Sequence, residues 1–191
     1  MESMWFDDVE VGQKWTSQGR TLTESDVTQF ASMTGDFNPL HVNHDFAAKG
    51  PYRKPIAHGL LGLSWVAGLG STAPLMQTVA FTAVRSWEFL APIYFGDTVH
   101  VETECREKLT RGRKAGQILW RRKLINQKGQ TVQQGQFETL VSIRQIQQEP
   151  DAIDSRVDPG RVDPGRADDG GLIAKPNLLK SAAVKNKVSG K

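Results

Sequence analysis

Residues 60–70 limit the possible folds of this chain more than any other stretch, because they are apolar on nearly all sides. In a soluble protein, such a helix lies buried at the centre of a domain. Gly62 and Gly68 fall inside it, and each lowers helix propensity by roughly 1 kcal/mol relative to alanine. Glycines retained in a helix suggest that another element packs very close to it. The run therefore predicts a buried central helix with close neighbours.

From about residue 77 onward, the hydrophobic period changes from that of a helix to that of strands. One predicted strand carries a row of four residues on a single face: Val99, Val101, Thr103 and Cys105. Turn residues separate the strands at Gly96-Asp97, at residues 110–113 and at Lys128-Gly129. Long strands that meander around one buried helix indicate an α+β architecture.

A shorter amphipathic helix is predicted upstream of the central one. Thr23 is placed as its N-cap, and Gly35 is a natural C-terminal stop. The residues on its apolar face recur at helical spacing: Val27, Phe30, Ala31 and Thr34. Asp36 therefore lies just beyond the end of a helix.

Asp36 and His41 place a carboxylate and an imidazole five residues apart. Between them, Asn38-Pro39 disfavours helix, because proline pushes its predecessor toward extended conformations. We therefore expect irregular backbone here. Gly59 begins the central helix, where a backbone N–H points toward anything bound at the helix end. An acid, a base and a helix start are the parts needed for proton transfer on a carbonyl substrate.

Other interpretations of the nearby polar residues exist. His41 and His44, flanked by Asp36 and Asp45, would suit a metal if they lay on one helix, but the proline argues against a helix and we predict no metal. Ser64 is either a core hydroxyl bonded back to its own helix or a substrate-binding residue.

Cations cluster late in the predicted domain. Eight of the 16 Lys and Arg residues in positions 1–146 fall between positions 106 and 123, where only Glu107 opposes them. The patch is either a solvated hairpin face or a site for a phosphorylated ligand, with Arg111, Arg113 and Lys114 at its turn. No recognised nucleic-acid motif accompanies it, so we expect no nucleic-acid partner.

The sequence also predicts a compartment and a domain boundary. A single cysteine, Cys105, fits a reducing cytoplasm, and no apolar run is long enough to span a bilayer. After residue 146, the composition shifts to tandem Arg-Val-Asp-Pro-Gly repeats without aromatic residues. We expect one domain over residues 1–146 and a disordered tail over residues 147–191.

Four segments together resemble the MaoC-like dehydratase family, whose members include (R)-specific enoyl-CoA hydratases. They are residues 23–26, residues 35–41, residues 55–59 and residues 92–97. The resemblance implies a hot-dog fold, an antiparallel sheet wrapped around a long central helix, and a homodimer with active sites at the subunit interface. It covers roughly residues 6–144, and the tail has no counterpart in it.

The resemblance implies a hydratase that adds water reversibly to a 2-enoyl-CoA thioester without a cofactor. By similarity, Asp36 and His41 hold the water and move its protons, and the Gly59 N–H binds the thioester oxygen. The residues leave open which of the pair is acid and which is base. A hot-dog thioesterase and a non-catalytic acyl-CoA-binding protein are the alternatives.

Overall fold

A computed structural model of the protein describes residues 2–144, which form four α-helices and six strands. The helices are α1 (Glu24–Thr34), α2 (Pro39–Val42), α3 (His44–Lys49) and α4 (Gly59–Gly70). The strands are β1 (Lys14–Thr16), β2 (Arg20–Thr21), β3 (Thr78–Phe89), β4 (Thr98–Thr110), β5 (Ala115–Asn126) and β6 (Thr131–Ser142). The predicted tail lies outside the described residues.

All six strands belong to one antiparallel sheet with the order β1-β4-β5-β6-β3, and β2 pairs with β4 beside β1. The predicted row Val99, Val101, Thr103 and Cys105 on β4 is fully buried. The hairpin turn after Thr110 and the turn at Lys128-Gly129 also lie where the sequence places them. The predicted α+β architecture is confirmed.

Helix α4 packs on the inner face of the sheet with Leu61, Trp65 and Val66 buried. The prediction that this helix is covered on nearly all sides is wrong for the single chain. Leu60 is 60% exposed, and Ser64 and Gly68 continue the same exposed stripe at four-residue spacing. An apolar helix that keeps one stripe open has a face available for a further partner.

The glycines of α4 show how closely the sheet approaches it. A Cβ at Gly62 would lie 2.2 Å from the amide nitrogen of Gln133 on β6, so a larger residue there would displace the Gln133 side chain. A Cβ at Gly68 would meet nothing within 4 Å. The prediction of a close neighbour is therefore confirmed for Gly62 and wrong for Gly68.

At the C-terminal end of α4, the Arg122 guanidinium donates hydrogen bonds to the carbonyls of Val66 and Gly70. Burial lowers the pKa of Arg122 to about 10. A cation is favourable at this end because the helix dipole is negative there. No helix within residues 2–144 is both long and apolar enough to cross a membrane.

Candidate active site

Asp36 reaches the site because α1 ends abruptly. Gly35 adopts a left-handed conformation with φ 79°, and its N–H donates to the carbonyl of Ala31. Thr23 caps the other end of α1 by accepting a hydrogen bond from the Asp26 N–H, as the sequence predicts. The chain then turns toward the start of α4, and the Asp36 side chain remains 53% exposed. Its Oδ1 accepts a hydrogen bond from the Asn38 N–H at 3.3 Å, so the carboxylate is oriented while still facing solvent.

His41 lies on the short helix α2, and here the expectation of irregular backbone is wrong. Pro39 occupies the first helical position, where its missing N–H costs no hydrogen bond and its fixed φ suits a helix. Asn38 acts as the N-cap, with its side-chain oxygen accepting from the Leu40 N–H at 3.0 Å. The proline thus starts a helical turn instead of preventing one.

The hydrogen bonding of His41 defines its tautomer. Its Nδ1 lies 2.8 Å from the Ile56 carbonyl oxygen, which can only accept, so Nδ1 carries the hydrogen. Burial lowers the pKa of His41 below its usual value, although the bond to Ile56 and the charge of Asp36 act in the opposite direction. A neutral His41 therefore presents a lone pair on Nε2 that can accept a proton.

His58 fixes the geometry beneath these two groups. Its side chain is buried, and its Nε2 donates to the Asp36 backbone carbonyl at 2.8 Å. The rings of His58 and His41 stack with their centroids 3.9 Å apart. The Nδ1 of His58 is the one ring nitrogen of this residue without a hydrogen-bond partner among residues 2–144. These contacts make His58 a positioning residue that joins the Asp36 loop to the start of α4.

The structure brings the carboxylate and both imidazoles together. One ligand atom from each of Asp36, His41 and His58 lies within 4.8 Å of the other two. The metal site considered from the sequence had paired His41 with His44, but His44 turns away to Glu24, with Nε2 and Oε1 3.1 Å apart. His41 Nδ1 and His58 Nε2 both donate to carbonyls, so the lone pairs of the two rings lie on His41 Nε2 and His58 Nδ1.

The first turn of α4 supplies backbone donors. The N–H groups of Gly59 and Leu60 have no acceptor inside the helix, because the first donors of any helix point out of its end. A Cβ at Gly59 would lie 2.9 Å from the ring of Phe89, so a larger residue there would displace that ring. Because Gly59 has no side chain, its backbone N–H stays accessible although the Phe89 ring packs against it.

Gln133 is a site residue that the sequence reasoning missed. It is buried on β6, where its amide nitrogen donates to the Gly59 carbonyl at 3.1 Å. Its amide oxygen accepts from Trp87 Nε1 at 3.2 Å. The sequence offered one signal for it. Gln133 is separated by even numbers of residues from Phe137 and Thr139 on the same strand, so its side chain points to the same inner face. A polar residue in such a row needs a hydrogen-bond partner in the core.

Of these groups, His41, Gly59 and Gln133 border one cavity of about 280 Å³. Its walls combine the catalytic candidates with apolar side chains from several elements: His41, Tyr52, Ile56, Ala57, Gly59, Phe89, Leu90, Ala91, Pro92, Ile93 and Gln133. A concave site that combines apolar side chains with a few convergent polar groups is the usual form of a small-molecule site. The cavity wall therefore contains a proton acceptor, Nε2 of His41, and a backbone hydrogen-bond donor, the Gly59 N–H.

Ser64 lies in a different groove of the protein surface, with Arg20, Phe30 and Trp65 among its neighbours. Its hydroxyl donates back to the Leu61 carbonyl at 2.7 Å. That bond agrees with the interpretation of Ser64 as a hydroxyl bonded back to its own helix. Within one chain, Ser64 does not line the cavity that contains His41 and Gly59.

The three turn cations also lie away from this cavity within one chain. The 111–114 turn adjoins Ala115, which pairs with Ser142 at the end of β6. The cavity instead borders Gln133, near the beginning of β6. Arg111, Arg113 and Lys114 therefore occupy the opposite end of the sheet. Other cations, Arg53 and Lys54, directly follow Tyr52 in the cavity wall.

Known proteins match this chain in sequence and in fold. The family model described as "MaoC like domain" matches residues 8–124. A 3-hydroxybutyryl-CoA dehydratase of Methylorubrum extorquens is 35% identical over 113 residues, which are 59% of this chain and 70% of the relative. An (R)-specific enoyl-CoA hydratase of Rhodospirillum rubrum is 38% identical over 96 residues, which are 50% of this chain and 65% of the relative.

A solved structure of a Mycobacterium tuberculosis protein with a double hot-dog fold superposes with a TM-score of 0.65 at 23% identity. The superposition covers 79% of this chain and 47% of that protein. At this level of identity the likeness concerns the fold alone. It confirms the predicted hot-dog fold.

Proposed function

Because this chain belongs to the MaoC-like domain family, we propose that it adds water reversibly to a 2-enoyl-CoA thioester. The product is a 3-hydroxyacyl-CoA, of R configuration by analogy with the (R)-specific relative. One observation carries the proposal: a cavity of about 280 Å³ has the neutral His41 imidazole and the Gly59 backbone in its wall, and the Asp36 carboxylate lies next to that imidazole.

Hydration builds negative charge on the thioester oxygen as an enolate forms. We assign the stabilisation of this charge to the Gly59 N–H at the positive end of the α4 dipole. A buried donor of this kind is typically worth about 10² to 10³ in rate. Gln133 supports the donor from the other side by holding the Gly59 carbonyl.

The water is placed between the Asp36 carboxylate and Nε2 of His41. Neutral His41 carries its hydrogen on Nδ1, bonded to Ile56, so Nε2 begins the reaction as an acceptor. The proton delivered to the substrate Cα is then the one taken from the water, and hydroxide adds to Cβ. Asp36 orients the water and stabilises the transient imidazolium.

Two surfaces support a homodimer. Strand β3 is an edge of the sheet, and its apolar residues are widely exposed, including Val79, Phe81 and Phe89. The uncovered stripe of α4 at Leu60, Ser64 and Gly68 is a second open face, on which the Leu60 side chain is 60% exposed. An antiparallel β3–β3 pairing about a two-fold axis satisfies the unpaired backbone groups of this edge. An active monomer in analytical ultracentrifugation at assay concentration would contradict the dimer.

We also place the protein in the cytoplasm. The support is the unpaired Cys105 thiol, which is fully buried and fits a reducing compartment. Cell fractionation followed by immunoblotting tests this placement, and recovery from an extracytoplasmic fraction would contradict it.

Incubation with crotonyl-CoA tests the reaction itself. Hydration removes the enoyl absorbance without releasing a free thiol. Release of free CoA would instead indicate a thioesterase, and binding without turnover would indicate a non-catalytic acyl-CoA-binding protein. Asp45→Asn, on the exposed surface of α3, is the matched control for Asp36→Asn in this assay.

A further inference from the structure

Arg122 is a buried cation on the inner face of β5. Its two terminal nitrogens donate to the carbonyls of Val66 and Gly70 at 3.4 and 3.0 Å. A Cβ at Gly70 would lie 2.7 Å from the guanidinium carbon, so this glycine makes room for the cation. Within residues 2–144, Nε of Arg122 has no hydrogen-bond partner, and no carboxylate forms an ion pair with the guanidinium. A full positive charge therefore lies in this core without a counter-charge.

The inner-face neighbours of Arg122 carry no charge. It pairs with Thr103 on β4 and with Gly135 on β6, and its guanidinium carbon lies 5.0 Å from the centroid of the Phe137 ring. The acidic residues on either side of Thr103 alternate to the outer face of the sheet. The inward-facing Cys105 thiol stays protonated because burial raises its pKa. A charge that is buried without an opposite charge is screened less than a surface charge and acts over a longer distance.

Two routes connect this charge to the active-site cavity. On β5, Leu124 pairs with Gln133 of the cavity wall, and Arg122 is the next inward-facing residue, about 7 Å along the strand. On α4, the two carbonyls that Arg122 binds lie seven and eleven residues beyond Gly59. At a rise of about 1.5 Å per residue, the charge lies roughly 10 to 17 Å from the Gly59 N–H.

The charge lies at the correct end of α4 to assist the proposed hydration. Enolate formation puts negative charge beside the Gly59 N–H, at the positive end of the helix dipole, and Arg122 offsets the negative end. At about 15 Å and an effective dielectric constant near 20, one positive charge favours the enolate by about fivefold in rate. We propose that Arg122 is a positioning residue that acts through α4, holding its C-terminal carbonyls and favouring enolate formation at Gly59 by its charge. The inference rests on the proposed function.

The first experiment removes the charge and keeps a hydrogen-bond donor. Arg122→Gln should lower kcat for crotonyl-CoA about fivefold and leave KM nearly unchanged, because the charge acts on the enolate and not on the neutral thioester. Arg121→Gln makes the same chemical change one residue earlier, on the outer face, and should retain wild-type kcat. A wild-type kcat in Arg122→Gln would overturn the proposal.

The second experiment separates the charge from the packing of the side chain. Arg122→Lys keeps a cation, so its kcat at about pH 6.5 should lie within twofold of wild type. Burial lowers the pKa of a lysine, so raising the pH to about 8.5 should bring kcat toward that of Arg122→Gln. The wild-type arginine stays charged over this range, since its pKa is lowered only to about 10. The ratio of kcat in the two variants cancels the titration of His41, and a ratio of one at every pH would overturn the proposal.

Infrared difference spectroscopy distinguishes failure of this inference from failure of the proposed function. In an Asp36→Asn chain, bound crotonyl-CoA should show a lowered thioester carbonyl frequency, because the Gly59 N–H polarises that bond. Adding Arg122→Gln should reverse part of the lowering, and adding Arg122→Lys at about pH 6.5 should not. Binding without any lowering in the Asp36→Asn chain would contradict the proposed function. The same lowering with arginine and with glutamine at this position would overturn the role of Arg122 and leave the reaction standing.

Discussion

The segment from α1 to the first turn of α4 and the long strands of the sheet treat polar side chains in different ways. In the segment, Asp36 follows the end of α1 and His41 lies on a single helical turn; His41 borders the cavity, and the half-exposed Asp36 carboxylate lies next to it. In the sheet, several polar side chains turned inward have hydrogen-bond partners, as when Trp120 donates to Thr139 at 2.8 Å, although the buried Thr103 hydroxyl has none among residues 2–144. The segment therefore carries groups free to react, while the sheet provides a rigid surface beneath them.

This comparison predicts that changes in the segment affect rate and changes in the sheet affect stability. The largest effect is expected for the catalytic pair. Asp36→Asn removes the negative charge that orients the water and stabilises the imidazolium, His41→Ala removes the proton acceptor, and each should lower kcat by about 10² to 10⁴. Steady-state kinetics with crotonyl-CoA measures this loss. Thermal melts should show nearly wild-type stability for both variants.

The exposed neighbours on α3 provide matched controls for these two substitutions. Asp45→Asn and His44→Ala make the same chemical changes a few residues away and should retain wild-type kcat. Equal losses in the controls would show that the segment tolerates no change, and the contrast with the sheet would then disappear.

The next largest effect is expected in the sheet. Trp120 is 1% exposed, so Trp120→Ala leaves a large cavity and should cost about 3 to 5 kcal/mol in the free energy of unfolding. Urea denaturation measures this loss. Leu119→Ala, one residue earlier on the half-buried outer face, should cost much less. Equal losses at both positions would contradict the assignment of the inner face as the core.

A smaller effect concerns the titration of His41. Burial lowers its pKa, so its NMR titration midpoint should fall below 6.5, and protonation below that midpoint removes the lone pair needed for catalysis. The Asp36 charge raises the same pKa, so Asp36→Asn should move the midpoint further down. A midpoint above 6.5 in the wild type, or an upward shift in the variant, would contradict the neutral resting state of His41.

The smallest effect is expected outside both regions. Removing residues 148–191 should leave Tm and kcat nearly unchanged, because the Arg-Val-Asp-Pro-Gly repeats and the lack of aromatics offer little surface to bury. Differential scanning calorimetry and the crotonyl-CoA assay check this expectation. A large drop in either quantity would assign the tail a role in the domain.

Much of the architecture was predictable because its signals are local. Thr23 and Gly35 mark the ends of α1 through capping, and the row from Val99 to Cys105 follows the period of a strand. The prediction of irregular backbone around Pro39 was wrong because proline disfavours helix in the residue before it but suits the first position of a helix that begins with it. The difference depends on Asn38, whose side chain caps the turn.

Other features were not predictable because they depend on which distant elements meet. Gln133 belongs to the site only because β6 passes beneath Gly59. The exposed stripe at Leu60 on α4 reflects what one chain leaves uncovered, and hydropathy does not report that. The separation of Arg111 from the cavity follows from the register in which β5 and β6 pair, which local sequence does not encode.

A double-mutant cycle on Asp36 and His41 tests most directly whether the two residues act as one unit on a shared water. The measured quantity is kcat for crotonyl-CoA in the wild type, Asp36→Asn, His41→Ala and the double variant. Groups that serve one step are strongly non-additive, so the double variant should be scarcely slower than the slower single variant. Fully multiplicative losses would show that the residues act independently, and wild-type activity in Asp36→Asn would contradict the proposed hydration altogether.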